Sequence, residues 1–353
     1  MIRRKRGSSL SLRQQGRIAH TEQKRSESQA VHGDALLNCL GRSAFGAEEP
    51  GLVIAHFGLN VAVEDHQGER FRCAVRKSAT GEPVCGDRVV WMRSINNQGI
   101  INRIESRTSV LQRPLSAQRL QIIAANVDRI FIVFVATDPH VGLLDRYLVA
   151  AGVAGIEAVI VVNKMDLVEN RAVLMASFAH YEQMGYRVIF TSTLEPLGLT
   201  ELDQALKGRI SVFVGESGTG KSSLISQWIS SDSLKIGLVN QESGKGRHTT
   251  TVTSLYHLPG GGSLIDSPGI REFGLHGVEA HQVARYFPDI FPWAGQCRFS
   301  DCQHGAEPDC AVQRELQAGN LHPARLESLR QIQQTLIQER IPGNRTATGL
   351  RPF

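Results

Sequence analysis

Gly215-Glu216-Ser217-Gly218-Thr219-Gly220-Lys221-Ser222 is the stretch that decides how the rest of the chain is read. It fits the pattern GxxxxGK[ST], follows the apolar run Ile210–Val214 and opens a helix-like stretch that carries Leu224 and Ile225. Glycines let backbone N–H groups turn inward and approach an anion closely, and the start of the following helix adds its dipole. The stretch therefore predicts a phosphate-cradling loop made by Gly215, Glu216, Ser217, Gly218, Thr219, Gly220, Lys221, Ser222 and Ser223. Lys221 is expected to reach the β- and γ-phosphates of a nucleotide and to serve catalysis there, and the Ser222 hydroxyl to ligate Mg²⁺. The plain alternative is an ordinary Gly-rich strand-to-helix turn, which the strand-before, helix-after context disfavours.

Outward from that loop, near-continuous apolar runs at Arg129–Ala136 and Ala158–Val162 read as parallel strands buried on both faces. Tyr186–Thr191 and Ser263–Ile265 continue the series, with helix-like stretches at Leu143–Ala151, Val173–Met184 and Leu199–Leu206. This alternation predicts a doubly wound α/β domain. Asn163-Lys164-Met165-Asp166 stands at the end of one such strand and resembles the NKxD guanine motif of the GTPase superfamily. A carboxylate accepts from guanine N1–H and from the exocyclic amine, whereas adenine offers a lone pair at N1 and lacks that amine. A site built around such a bond rejects the wrong base by roughly 10⁴ or more. Asn163 is expected to hold the loop and base edge, and the Lys164 stem to pack on the base plane. Without a partner motif, these four residues read as a surface turn.

Asp266-Ser267-Pro268-Gly269 resembles DxxG, with Asp266 expected at Mg²⁺ and the Gly269 N–H at the γ-phosphate. Gly246-Arg-His-Thr-Thr-Thr251 reads as a first switch that orders when a threonine closes on Mg²⁺, Thr250 being favoured and Thr251 the alternative. Simple β-propensity of the threonine run is the competing explanation. Ile270 stands where many GTPases carry the glutamine that orients water, and an isoleucine cannot do that. His248 is the nearest polar candidate for the catalytic role, against the alternative of an exposed loop histidine. Ordinary GTPases run phosphate loop, first switch, DxxG, NKxD; here NKxD comes first. Thr191-Ser192-Thr193 occupies the place of a second guanine loop, with a poor match.

The chain has 353 residues, of which 41% are hydrophobic, enough for several domains with real cores. No apolar run approaches the roughly 18 residues of a membrane span, and the N-terminus lacks a signal-peptide core. A soluble cytoplasmic monomer without a membrane partner is expected. The net charge of +5 is uneven: residues 1–25 hold eight Lys or Arg against Glu22 alone. A basic arm of this kind fits nucleic acid through counterion release, or serves only as a solubilising tail. From Gly51 to about Arg113, five short β-like runs (Leu52–His56, Leu59–Glu64, Arg70–Arg76, Asp87–Arg93, Ile100–Ile104) fit a small barrel, an OB-fold first and a sandwich or SH3-like barrel next.

Cys297, Cys302, His304 and Cys310 offer three thiols and an imidazole within fourteen positions. Cys₃His is a closed structural zinc set; reduced buried thiols are the alternative. An amphipathic helix with Leu326, Leu329, Ile332, Leu336 and Ile337 on one stripe follows. The organisation expected is a basic arm over 1–48, an OB-fold β-barrel over 49–113, a circularly permuted α/β P-loop GTPase domain over 114–274, a helical zinc-binding domain over 275–340 and a tail over 341–353.

Taken together, these motifs resemble the RsgA family of ribosome small-subunit-dependent GTPases. Beyond the motifs already quoted, Gly86-Asp87, Arg107-Thr-Ser-Val-Leu-Gln-Arg-Pro114 and Asp266-Ser-Pro-Gly-Ile-Arg-Glu-Phe273 carry the likeness. The resemblance implies a GTP/GDP-binding, late-acting assembly factor of the small ribosomal subunit that contacts its rRNA. It implies hydrolysis stimulated by that subunit and release afterwards, with one structural Zn²⁺ and Mg²⁺ accompanying GTP.

Overall fold

The computed structural model describes residues 45–57, 60–76, 79, 81–94, 97–116, 119–229, 253–267, 270, 273–305 and 307–340. Almost all of the basic arm and the whole C-terminal tail expected from the sequence lie outside them. Strands β1 (Glu48–Phe57), β2 (Asn60–Glu64), β3 (Arg70–Val75), β4 (Arg88–Arg93) and β5 (Gln98–Ile104) close into a barrel in the order 1-2-3-5-4-1. β1 makes the closure: Glu48–Leu52 pair with β4, and from Leu52 onward the strand pairs with β2, with a register shift between Val53 and Ala55. The β3–β5 ladder is parallel and the other four are antiparallel, which is the connectivity of an OB-fold. Alternate residues Val53, Val61, Val63, Phe71, Cys73, Val89, Trp91 and Ile101 fill the interior. Trp91 is fully buried, and its ring sits where Gly51 and Gly99 lack side chains: a Cβ at either would come within 2.6 Å of the indole.

A two-stranded hairpin, β6 (Val110–Ser116) with β7 (Arg119–Ala125), leads out of the barrel. The sequence reading assigned no strand there. The α/β sheet follows: β8 (Arg129–Val135), β9 (Glu157–Asn163), β10 (Arg187–Phe190), β11 (Ile210–Val214), β12 (Ser254–His257) and β13 (Ser263–Asp266), in the order 10-9-8-11-13-12. All pairs are parallel except β12–β13. The near-continuous apolar runs are explained by alternation between two buried faces. On one face Ile130, Ile132, Phe134, Ile160, Val162, Val212 and Val214 join helix α1 (Val141–Val153). On the other, Phe131, Val133, Val159, Val161 and Phe213 meet the helices Leu199–Leu206 and Lys221–Ile225.

The helix expected over Val173–Met184 is instead two, α2 (Arg171–Ser177) and α3 (Ala179–Gln183). At Phe178 the backbone tightens to i→i−3 bonds, Phe178 N–H to Met175 O at 3.1 Å and Tyr181 N–H to Phe178 O at 2.9 Å. That turn sends the Phe178 ring into the core against Tyr181 and Phe190. Among the described residues this domain also holds α4 (Leu199–Leu206) and α5 (Lys221–Ile225).

The C-terminal unit holds a 3-10 segment (Ala280–Tyr286), then α6 (Phe291–Ala294), α7 (Ala311–Gln317) and α8 (Pro323–Arg340). Its core is continuous with the α1 face of the sheet: Leu326, Leu329, Ile332 and Leu336 share one cluster with Leu144, Tyr147 and Leu148. Ile337, expected on that stripe, is 43% exposed: it lies one residue beyond Leu336, round the helix from the packed face. Arg325 is buried at the joint, donating to Asp289 at 3.0 and 3.1 Å and to Asp145 of α1, with its guanidinium 4.4 Å from the Phe287 ring centroid. Burial works against its charge, but the carboxylates of Asp145 and Asp289 outweigh that and hold its pKa up.

The barrel meets the sheet edge through the antiparallel pairing of Ala55 in β1 with Ser254 in β12, and Ile54 and Cys85 join the core cluster of the sheet. Glu64 of β2, 8% exposed, accepts from His257 Nε2 of β12 at 2.5 Å. That hydrogen bond raises the His257 pKa, against an opposing effect of burial. A histidine whose folded pKa is raised contributes stability that is fully present below its unfolded value, about 6.5, and is lost as pH rises through the folded value. An NMR titration is expected to place His257 above that unfolded value and Glu64→Gln to bring it down. A titration identical in both proteins would remove this contact from the barrel–sheet joint.

Candidate nucleotide site and metal centre

In an open parallel sheet, ligands gather outside the carboxyl ends of the strands. β11 lies between β8 and β13, and β9 is the next strand beyond β8. The loop after β11, Asn163 at the end of β9 and Asp266 at the end of β13 therefore open onto one edge, although they are far apart in sequence.

Asn163 is 1% exposed and makes the joint between two of these loops. Its Oδ1 accepts from Thr191 Oγ1 at 3.0 Å, so its Nδ2 is turned to donate to the Thr219 carbonyl of the Gly-rich loop at 2.9 Å. Lys164 takes a left-handed conformation (φ 65°), and the 3-10 turn Met165–Leu167 follows. Met165 is fully buried and its N–H donates to Thr191 O at 3.1 Å. Ser192 Oγ donates to Asp166 Oδ1 at 2.5 Å while accepting from the N–H groups of Leu194 and Glu195 at 3.1 and 3.2 Å. Thr191 and Ser192 thus position Asn163 and Asp166. The sequence pointed to this segment without giving either residue a role; the available signal was two short hydroxyl side chains ending the strand beside β9.

The Gly215–Ser223 loop wraps around Lys221. Its Nζ donates to Gly215 O at 2.8 Å, Glu216 O at 2.5 Å and Thr219 Oγ1 at 3.2 Å. Thr219 is buried, whereas Ser217, Gly218, Ser222 and Ser223 are exposed on the open side. Gly220 has φ 92°, and a Cβ there would stand 2.3 Å from Asn163 Nδ2. Only glycine lets the loop come close enough for the Asn163–Thr219 bond.

Asp266 ends β13, and the next residue, Ser267, accepts at Oγ from Thr253 Oγ1 at 2.7 Å. Ile270 is 3% exposed and belongs to the core cluster. Phe273 stacks on Tyr147 of α1, ring centroids 6.4 Å apart. The segment after Asp266 is therefore anchored by apolar side chains, and Ile270 points inward. His248, Thr250, Thr251 and Gly269 lie outside the described residues.

Cys297, Cys302, His304 and Cys310 converge, with all four donor atoms within 4.8 Å of one another. Cys297 Sγ lies 3.5 Å from His304 Nδ1 and 3.7 Å from Cys310 Sγ, and Cys310 Sγ lies 3.6 Å from His304 Nδ1. A tetrahedral ion with metal–sulfur bonds of about 2.3 Å has ligand–ligand edges of about 3.8 Å, so these separations fit such an ion. Burial favours the neutral Cys297 thiol, yet backbone N–H groups of Val312 and Ala311 outweigh it and hold its pKa down. Burial pushes Cys302 up to about 12 and lowers His304. A neutral imidazole and thiolates are the ligand forms a metal requires, so the shifts at His304 and Cys297 favour binding, whereas Cys302 must give up its proton when the ion binds. Outside the cluster, the His304 carbonyl accepts from Gln313 Nε2 at 2.7 Å and Arg330 Nε at 3.1 Å, which ties the loop to α7 and α8.

A family model described as RsgA GTPase matches residues 104–276. The small ribosomal subunit biogenesis GTPase RsgA of Chromohalobacter salexigens is 47% identical over 294 residues, 82% of this chain and 86% of the relative. The protein of the same name from Azotobacter vinelandii is 43% identical over 330 residues, 92% of this chain and 96% of the relative. The chain belongs to the RsgA GTPase family. Among solved structures, YjeQ from Thermotoga maritima is 29% identical and superposes with a TM-score of 0.67, covering 82% of this chain and 99% of that one. YloQ, described as a circularly permuted GTPase, is 26% identical with a TM-score of 0.67, covering 84% and 97%. The likeness to YloQ fits the chain order: the strand sequence 10-9-8-11-13-12 keeps neighbours in space that a permuted chain visits in a different order.

Proposed function

We propose that this chain binds and hydrolyses GTP and works as a late assembly factor of the small ribosomal subunit, binding the subunit and its rRNA in a GTP-dependent way and leaving after hydrolysis. The single observation that carries the nucleotide reading is the Asn163–Thr219 bond, which couples the guanine-type loop to the Gly-rich loop across a permuted chain. The names of its RsgA relatives support the subunit as partner.

In this reading the Asp166 carboxylate, steadied by Ser192, accepts from guanine N1–H and the exocyclic amine. Asn163 and Met165 hold the loop, and the Lys164 stem covers the base plane. Gly215, Glu216, Ser217, Gly218, Thr219, Gly220, Ser222 and Ser223 surround the phosphates, with Gly269 at the γ-phosphate. Lys221 leaves its carbonyl partners for the β- and γ-oxygens, where charge develops during transfer. Ser222, Asp266 and Thr250 would hold Mg²⁺, which neutralises phosphate charge. Ile270 is committed to the core and cannot orient water, so basal turnover is slow and His248 or a group of the subunit completes the site. The domain division is a barrel over 49–113, the GTPase domain over 114–274 and the metal-binding unit over 275–340. Among the described residues no helix is long and apolar enough to cross a membrane. In this reading the protein is cytoplasmic and acts as a monomer, without a membrane partner.

GTP turnover by the purified protein is expected to be slow alone, to rise by an order of magnitude or more with small subunits, and to vanish in Lys221→Ala. Turnover indifferent to subunits would remove the proposed partner while leaving the GTPase.

Zinc is the metal that fits a closed Cys₃His set, with a structural role because no ligand position is left open. Elemental analysis is expected to find one zinc per chain and none in Cys297→Ser. A folded wild-type protein without zinc would refute the assignment.

A further inference from the structure

The tip of the cysteine–histidine knob carries exposed aromatic surface on a fixed backbone. Phe299 is 42% exposed. Every residue from Gly295 to Ser300 is exposed except Cys297. The Arg298 guanidinium lies 5.5 Å from the Phe299 ring centroid and donates to Asp309 at 3.0 Å. Glu307 accepts from the N–H groups of Gln303 and Gly305 at 2.9 and 2.6 Å, and Gln313 and Arg330 hold the His304 carbonyl. A surface ordered in advance loses little entropy when something docks on it, and exposed phenyl rings on such a surface are a typical anchor of an interface.

Charge decides between the two kinds of partner a ribosomal particle offers. On the tip itself, from Cys297 to Asp309, the chain holds three acids (Asp301, Glu307, Asp309) against Arg298 alone. Arg298 is engaged by Asp309, and Asp301 and Asp309 are both exposed. RNA would bring phosphates against this acidic rim, whereas RNA-binding surfaces carry a positive excess. A protein segment rich in Lys and Arg with an apolar side chain for the Phe299 ring meets both features at once.

We infer that the knob around Phe299 docks a basic protein segment of the particle, not its RNA. This rests on the proposed binding of the small subunit, so retention of the wild-type chain on subunits with a non-hydrolysable GTP analogue is measured first, by pelleting. Loss of retention at that step contradicts the subunit reading itself. With retention established, a photo-crosslinking p-benzoylphenylalanine placed at position 299 is expected to give an adduct that survives nuclease and yields a Lys/Arg-rich peptide on proteolysis. An adduct destroyed by nuclease would overturn the inference. Two substitutions give an independent readout. Phe299→Ala is expected to weaken retention about tenfold, and Asp301→Lys to weaken it as well, both with basal GTP turnover unchanged. Unchanged retention in Phe299→Ala, or tighter retention in Asp301→Lys, would show that the tip does not face a basic protein.

Discussion

The hydrogen bond from Asn163 Nδ2 to the Thr219 carbonyl, 2.9 Å long and buried, is the contact on which the rest of the site depends. It spans 56 positions of the chain and joins the end of β9 to the loop after β11. Thr191 makes it directional by donating to Asn163 Oδ1, and Gly220 makes it possible by presenting no Cβ to the amide. A buried amide with both ends satisfied has one orientation, and leaving either end unpaired costs about 1–3 kcal/mol. Chain order matters less than neighbourhood in such a design. The sheet keeps β9, β8, β11 and β13 adjacent, and the site survives permutation because its contacts run between loops at one edge of that sheet.

Permutation changes what lies downstream of Asp266. The chain leaves β13 through Ile270 and Phe273, both in the core, and passes directly into the metal-binding unit. That unit is held to α1 by shared apolar surface and by Arg325 between Asp145 and Asp289. Removing one partner of a buried ion pair typically costs about 3–5 kcal/mol, since the remaining charge is left without compensation. The α1 joint therefore resists separation, and the barrel joins through the Ala55–Ser254 pairing, the His257–Glu64 contact, the buried Asn126–Gly86 bond and the side chains of Ile54 and Cys85, which share the core cluster of the sheet.

Much of this was legible in the sequence wherever a residue's role is set by its immediate neighbours. Ile210–Val214 followed by Gly215–Ser222 specifies strand, loop and helix because glycine placement and apolar runs act locally. The five barrel strands were legible for the same reason, and their closure order matches the expected OB-fold. Features set by tertiary contacts were not legible. Phe178 splits a helix that periodicity had drawn as one, because its ring is claimed by Tyr181 and Phe190. The hairpin Val110–Ala125 and the short strand Ser254–His257 were not drawn from the sequence; the latter pairs with β13 and with β1 of the barrel, a partner that lies in another part of the fold. Thr191 and Ser192 look like ordinary strand-end residues until Asn163 and Asp166 are seen beside them. Ile270 read as a missing glutamine; in the fold it is a core residue.

The claim that the permuted motifs form one guanine-specific site is tested most directly by equilibrium binding of GDP and xanthosine diphosphate to the wild type and to Asp166→Asn. A carboxylate accepts from the guanine amine; an asparagine amide instead donates, and suits the carbonyl that xanthine carries at the same position. The account predicts that the wild type prefers GDP and that Asp166→Asn reverses the preference, with Ser192 and the Gly215–Ser223 loop unchanged. Equal affinity of both proteins for both nucleotides would contradict it, because Asp166 would then not face the base.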